Sequence, residues 1–109
     1  MTATSRDRLD DYVEAVLSLV ERIPRGRATT YGAIADALFD DFGGGPRQVG
    51  SAMARHGAPV PWWRVVAADG RLPPHHRDAA RQAYLEEGTP LRASGGVDLR
   101  RALWLPPVG

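Results

Sequence analysis

Residues 30–56 read TYGAIADALFDDFGGGPRQVGSAMARH, and the fold turns on whether they form one interrupted helix or two. Thr30 can accept hydrogen bonds from the first free N–H groups of a helix, and it stands directly before Tyr31, after which Ile34 and Leu38 recur at helical spacing. Asp40-Asp41-Phe42-Gly43-Gly44-Gly45 interrupts that spacing. Pro46 then falls where proline suits the first turn of a further helix, running to about His56. Two short helices joined by a Gly-rich connection make a helix-turn-helix candidate. In the second helix Val49, Ala52 and Met53 can face inward, while Arg47, Ser51 and Arg55 step by four residues along the other side. With Gly50 and Ala54 beside them, that side is thin as well as basic. It reads either as an ordinary solvated face or as one shaped for close approach to another surface.

Upstream, Leu9, Tyr12, Val13, Val16, Leu17, Val20 and Ile23 mark one face of an amphipathic helix over Asp7 to Ile23, stopped by Pro24. Downstream, Pro59-Val60-Pro61-Trp62-Trp63 leads into Arg64-Val65-Val66-Ala67, which reads as a short strand ending at the turn Ala68-Asp69-Gly70-Arg71. A fourth helix is expected over Arg77 to Glu87, with Gly88 as its C-cap. Val97 to Trp104 reads as a closing strand or short helix offering Leu99, Leu103 and Trp104 to the core, and Pro106 to Gly109 as a frayed tail. The expectation is a mainly α, small winged-helix-like domain with a helix-turn-helix and a short β element, a single domain over residues 1–109.

The composition removes whole classes of function. The 109 residues include no cysteine, so disulfides, thiolate metal sites and cysteine nucleophiles are excluded. No apolar run can cross a bilayer and the N-terminus lacks an apolar signal region, which points to a cytoplasmic protein with no membrane partner. All 14 basic residues are arginine, yet the net charge is only +1, so charge has to be judged locally. His75 and His76 are adjacent and would diverge on a helix, and only His56 accompanies them, so no metal site is expected. Gly43 to Gly45 lack the Lys-Ser/Thr of a phosphate-binding loop. No cofactor is expected. The tryptophan pair has two readings: core packing, or a flat apolar wall which, beside an arginine, grips a nucleobase.

Gly26-Arg27-Ala28-Thr29-Thr30-Tyr31-Gly32-Ala33-Ile34-Ala35, Pro46-Arg47-Gln48-Val49-Gly50-Ser51-Ala52-Met53 and Val60-Pro61-Trp62-Trp63-Arg64-Val65-Val66, followed by Leu85-Glu86-Glu87-Gly88, together resemble the DNA-binding domain of O6-alkylguanine-DNA alkyltransferases. In those enzymes the third motif reads Pro-Cys-His-Arg. The resemblance puts Trp62 at the alkyl-accepting cysteine and Trp63 at the histidine, and so is nearer to the alkyltransferase-like proteins, which bind alkylated guanine without repairing it.

The resemblance implies a non-enzymatic, monomeric protein, without the separate N-terminal domain of the full repair enzymes. It would bind O6-alkylguanine in double-stranded DNA through the minor groove, flip the base, and mark it for nucleotide excision repair proteins. The implied DNA contacts are Thr30, Tyr31, Arg47, Gln48, Gly50, Ser51, Ala52 and Arg55, with Tyr31 rotating the nucleotide and Arg47 filling the vacated stack. The implied alkylguanine pocket is Tyr31, Met53, Trp62, Arg64, Val65 and Arg71, with Arg71 or a residue near His75 as its cap. Three other readings compete: a winged-helix regulator that reads sequence and ignores damage, an enzyme working through a carboxylate such as Glu87, and a homologue that no longer binds DNA.

Overall fold

The structure is a computed structural model that describes residues 5–107, so Val108 and Gly109 of the expected tail lie outside it. Its elements in chain order are α1 (Ser5–Arg22), β1 (Thr29–Thr30), α2 (Tyr31–Phe42), α3 (Pro46–His56), a 3-10 turn (Trp62–Arg64), β2 (Val65–Val66), α4 (Arg77–Glu87) and α5 (Leu99–Ala102). The chain is mainly helical, as the spacing predicts.

The helix boundaries follow from local chemistry. Thr30 caps α2, its Oγ1 accepting the Ala33 N–H at 3.0 Å. The Gly43 N–H donates to the Phe39 carbonyl at 2.7 Å, and Gly43 and Gly44 turn the chain with φ of 68° and 79°, angles that side chains bearing a Cβ resist. Pro46 opens α3 and needs no N–H there. Gly88 ends α4 in the left-handed conformation.

Tyr12, Val16, Leu19, Val20 and Ile23 of α1 pack with Ile34, Ala35 and Leu38 of α2 and Val49, Ala52 and Met53 of α3 in one core cluster. The observed α1 stripe differs from the expected one in two places. Leu19 joins the stripe, buried, while Leu17 packs half-buried against the same cluster, and Leu9 is 60% exposed. Leu9 is left out because α2 stops at Phe42, which meets Tyr12 edge to face at 5.6 Å, and Leu9 lies a turn further out. A second cluster joins Ala28, Val66, Ala80, Tyr84, Val97 and Ala102, fixing α4 and α5. Leu99 packs against it, whereas Leu103 is partly exposed.

β1 and β2 pair in parallel, Thr29 with Val65 and Thr30 with Val66. A parallel pair needs a crossover, and here α2 and α3 supply it. The pairing carries the Trp62–Arg64 turn back to the first residue of α2, which brings Tyr31 and Trp62 to one place.

Candidate nucleic-acid interface

The tryptophan pair does not lie on a strand. Arg64 N–H donates to the Pro61 carbonyl at 3.0 Å and winds Trp62–Arg64 into a 3-10 turn, and the strand begins only at Val65. At three residues per turn, three successive side chains point three ways. Trp62, half-buried, touches both core clusters and a cavity; Trp63 and Arg64 turn toward α4.

That cavity, of about 520 Å³, is lined by Tyr31, by Gly50, Met53, Ala54 and Gly57 along α3, by Ala58 and Trp62, and by Pro73 to His76. The volume lies within the roughly 300–1,000 Å³ of small-molecule sites. Gly50, Met53, Ala54 and Gly57 follow the i, i+3, i+4, i+7 steps of one helix face, and Arg47 lies one turn earlier on the same side. Gly57 is small because a Cβ there would come 2.5 Å from the Met53 carbonyl. Opposite α3, the His76 ring leans on the Trp62 indole, centroids 5.4 Å apart and tilted by 55°. Both histidines stand in the turn before α4, not on a helix. Burial raises the pKa of the Tyr31 phenol, so its hydroxyl stays protonated and able to donate.

Tyr31, Met53 and Trp62 therefore meet in one cavity, with Gly50 at its edge and His75 on its wall. Three other expected pocket residues lie elsewhere. Arg64 is held by Glu87 through Nε at 3.1 Å and a second guanidinium nitrogen at 2.7 Å, and its remaining arm donates to the Ile23 carbonyl at 2.9 Å. Val65 is fully buried in the strand pair. Arg71 pairs with Asp69 at 2.8 Å in a separate groove.

Among the expected DNA contacts, Arg47, Gln48, Ser51 and Arg55 are exposed along α3. Ala52 is a correction: it is 5% exposed and packs against the core. Gln48 also caps α3, its Oε1 accepting the Gly45 N–H at 2.8 Å. Gly57, Ala58, Pro73 and Pro74 were not anticipated. The helical spacing of Gly50, Met53, Ala54 and Gly57 was the available signal for the first of them.

Behind the cavity, the Trp63 indole N–H donates to Glu87 Oε2 at 3.0 Å, and the rings of Trp62 and Trp63 meet edge to face at 5.6 Å. Glu87 Oε1 also accepts the Gly26 N–H at 3.1 Å. Burial pushes the Glu87 carboxyl up, but hydrogen bonds from Arg64, Gly26 and Trp63 and the charge of Arg64 outweigh it and hold the group below its ordinary value. Such a carboxylate is a brace: it stays ionised, has its donors in place, and lines neither cavity nor groove. The Trp63 carbonyl accepts the Tyr84 hydroxyl at 2.6 Å, and burial, followed by the charges of Tyr31 and Glu87, raises the Tyr84 pKa. Among the described residues no cluster of three or more His, Cys, Asp or Glu could hold a metal, and no helix is long and apolar enough to cross a membrane.

The sequence model of the 6-O-methylguanine DNA methyltransferase DNA-binding domain matches residues 11–89. A DNA base-flipping protein of Vibrio parahaemolyticus is 32% identical over 102 residues, spanning 90% of this chain and all of the relative. The DNA base-flipping protein of Escherichia coli K12 is 36% identical over 105 residues, 90% of this chain and 78% of the relative. A crystal structure of Schizosaccharomyces pombe Atl1 in complex with damaged DNA containing O6-carboxymethylguanine superposes with a TM-score of 0.73 at 29% identity, covering 89% of this chain and 97% of that one. Family match, relatives and shared fold agree: the chain belongs to the family of the 6-O-methylguanine DNA methyltransferase DNA-binding domain, among its alkyltransferase-like proteins.

Proposed function

We propose that this chain is a non-enzymatic, single-domain binder of O6-alkylguanine in double-stranded DNA, acting as a monomer. α3 enters the minor groove, Tyr31 presses the target nucleotide outward, Arg47 fills the gap in the stack, and the base settles against Trp62. The observation that carries this reading is the indole-walled cavity lined by the small-residue flank of α3. A base pushed out at the groove beside α3 has a short path to that wall. Similarity to DNA base-flipping proteins and to Atl1 bound to damaged DNA supports it.

The energetics favour a damaged base. Extruding a nucleotide costs a few kcal/mol, least for one already badly paired, and stacking on an aromatic side chain returns about 1–3 kcal/mol. Alkylation at O6 weakens the pair with cytosine, and the walls formed by Met53, Ala54, Pro73 and Pro74 suit an alkyl group better than a bare carbonyl oxygen. A chain without cysteine has no thiolate to accept the alkyl group, so the lesion stays bound and intact, a persistent marker for nucleotide excision repair.

Titration against duplexes with and without O6-methylguanine tests this. The expected result is tighter binding of the damaged duplex and recovery of the lesion unchanged after prolonged incubation. Equal affinity for the two duplexes overturns it, as does loss of the alkyl group or of the base.

A further inference from the structure

Arg71 leads to a second groove. Of about 470 Å³, it is lined on its charged side by Arg71, Arg77, Arg81 and Arg92, with Asp69 and Asp78. Four guanidinium groups against two carboxylates leave a net charge of +2, twice that of the entire chain. The internal bonding uses only part of it. Arg71 takes the Asp69 carboxylate at 2.8 Å, and Arg92 donates to the Asp69 carbonyl at 3.3 Å. Among the described residues Arg77 and Arg81 make no ion pair, and at four residues apart on α4 they share one face. Two free planar forks side by side in a polar groove suit phosphate oxygens, which guanidinium grips bidentately.

We propose that this groove binds backbone phosphates of the DNA strand whose base enters the cavity, extending the interface past the segment Pro73–His76. The inference rests on the base-flipping reading of that cavity. Pro73 to His76 line the cavity, and Leu72 and Arg77, the residues on either side of them, line the groove. The two concavities thus share one wall. A strand presents a phosphate about every 3.4 Å along the helix axis, so a nucleotide turned into the cavity has neighbouring phosphates within a few residues' breadth of that wall. The charge favours them: a polyanion lying along α3 and its arginines meets a further positive surface on the far side of the wall.

The test is the salt dependence of binding by the full chain, measured by fluorescence anisotropy on duplexes with and without O6-methylguanine. Arg77→Gln with Arg81→Gln should weaken both duplexes alike and make the slope of log K against log salt shallower by about 1 to 2, since each phosphate neutralised contributes about 0.9. Discrimination between the duplexes should stay within about twofold, because phosphates carry no information about the lesion. The control is Arg100→Gln with Arg101→Gln, exposed arginines of α5 that line neither concavity. If the α4 pair changes the slope no more than this control does, the proposal is overturned, and the groove is left to a non-DNA partner such as an acidic protein surface. Failure of the base-flipping reading shows separately, as an unsubstituted protein that binds both duplexes equally.

Discussion

Glu87→Gln isolates the brace behind the cavity. The side chain of Glu87 is 3% exposed and that of Arg64 14%, and the carboxylate accepts four hydrogen bonds of 2.7–3.1 Å from Gly26, Trp63 and Arg64. Glutamine keeps the shape but has one accepting oxygen, and its amide N–H groups face donors. At least one buried donor loses its partner, and Arg64 keeps a charge with nothing to balance it. Removing one member of a buried ion pair costs roughly 3–5 kcal/mol. For a domain of this size, about 4 °C per kcal/mol gives a fall in Tm of roughly 12–20 °C. Thermal unfolding followed by circular dichroism measures it, with Glu86→Gln as control, an exposed neighbour expected to change stability by less than about 0.5 kcal/mol. The pH dependence has a definite sign. The folded-state pKa of Glu87 lies below its unfolded value, so the parent has the full stabilisation above the ordinary glutamate range near 4.3 and loses it as pH falls through the depressed value. Glu87→Gln should flatten that acid limb. A variant melting within about 3 °C of the parent, with the same acid limb, refutes the assignment of Glu87 as the brace.

Trp62→Ala should weaken binding of O6-methylguanine DNA by about 5- to 150-fold, the equivalent of 1–3 kcal/mol of stacking, with little effect on the unmodified duplex; anisotropy titration reads both. Gly50→Leu separates folding from docking. A Cβ at Gly50 meets nothing within 4 Å, so leaving glycine should add up to about 1 kcal/mol in urea unfolding, while the new bulk at the cavity edge lowers affinity for both duplexes. Gly70→Ala should destabilise by about 1–3 kcal/mol, because φ there is +85° and the Cβ would stand 2.2 Å from the Val97 carbonyl. An unchanged urea midpoint would refute it.

What was legible in the sequence was local. Thr30, Pro46 and Gly88 act on N–H or C=O groups within a few residues of themselves, so the helix ends could be read from neighbours in the chain. The residues that meet at the cavity were legible less directly: the helix-face reading set Gly50 and Met53 on different sides of α3, and only the family resemblance put Met53 in a pocket. Arg64 and Trp63 were not legible, because their partner is Glu87, more than twenty residues away, and no spacing rule connects them. An arginine beside two tryptophans suggests a ligand grip, yet the 3-10 turn spends that arginine on the fold. One signal pointed to this arrangement. Glu87 is the last residue of α4, where the helix dipole disfavours a negative charge, and a buried carboxylate in that place requires cations and N–H donors from elsewhere. Trp63 follows from the same requirement. With an N–H to give to Glu87 and a ring to place against Trp62, an indole at this position keeps the brace joined to the cavity wall, in a chain that has no thiol for a histidine to activate.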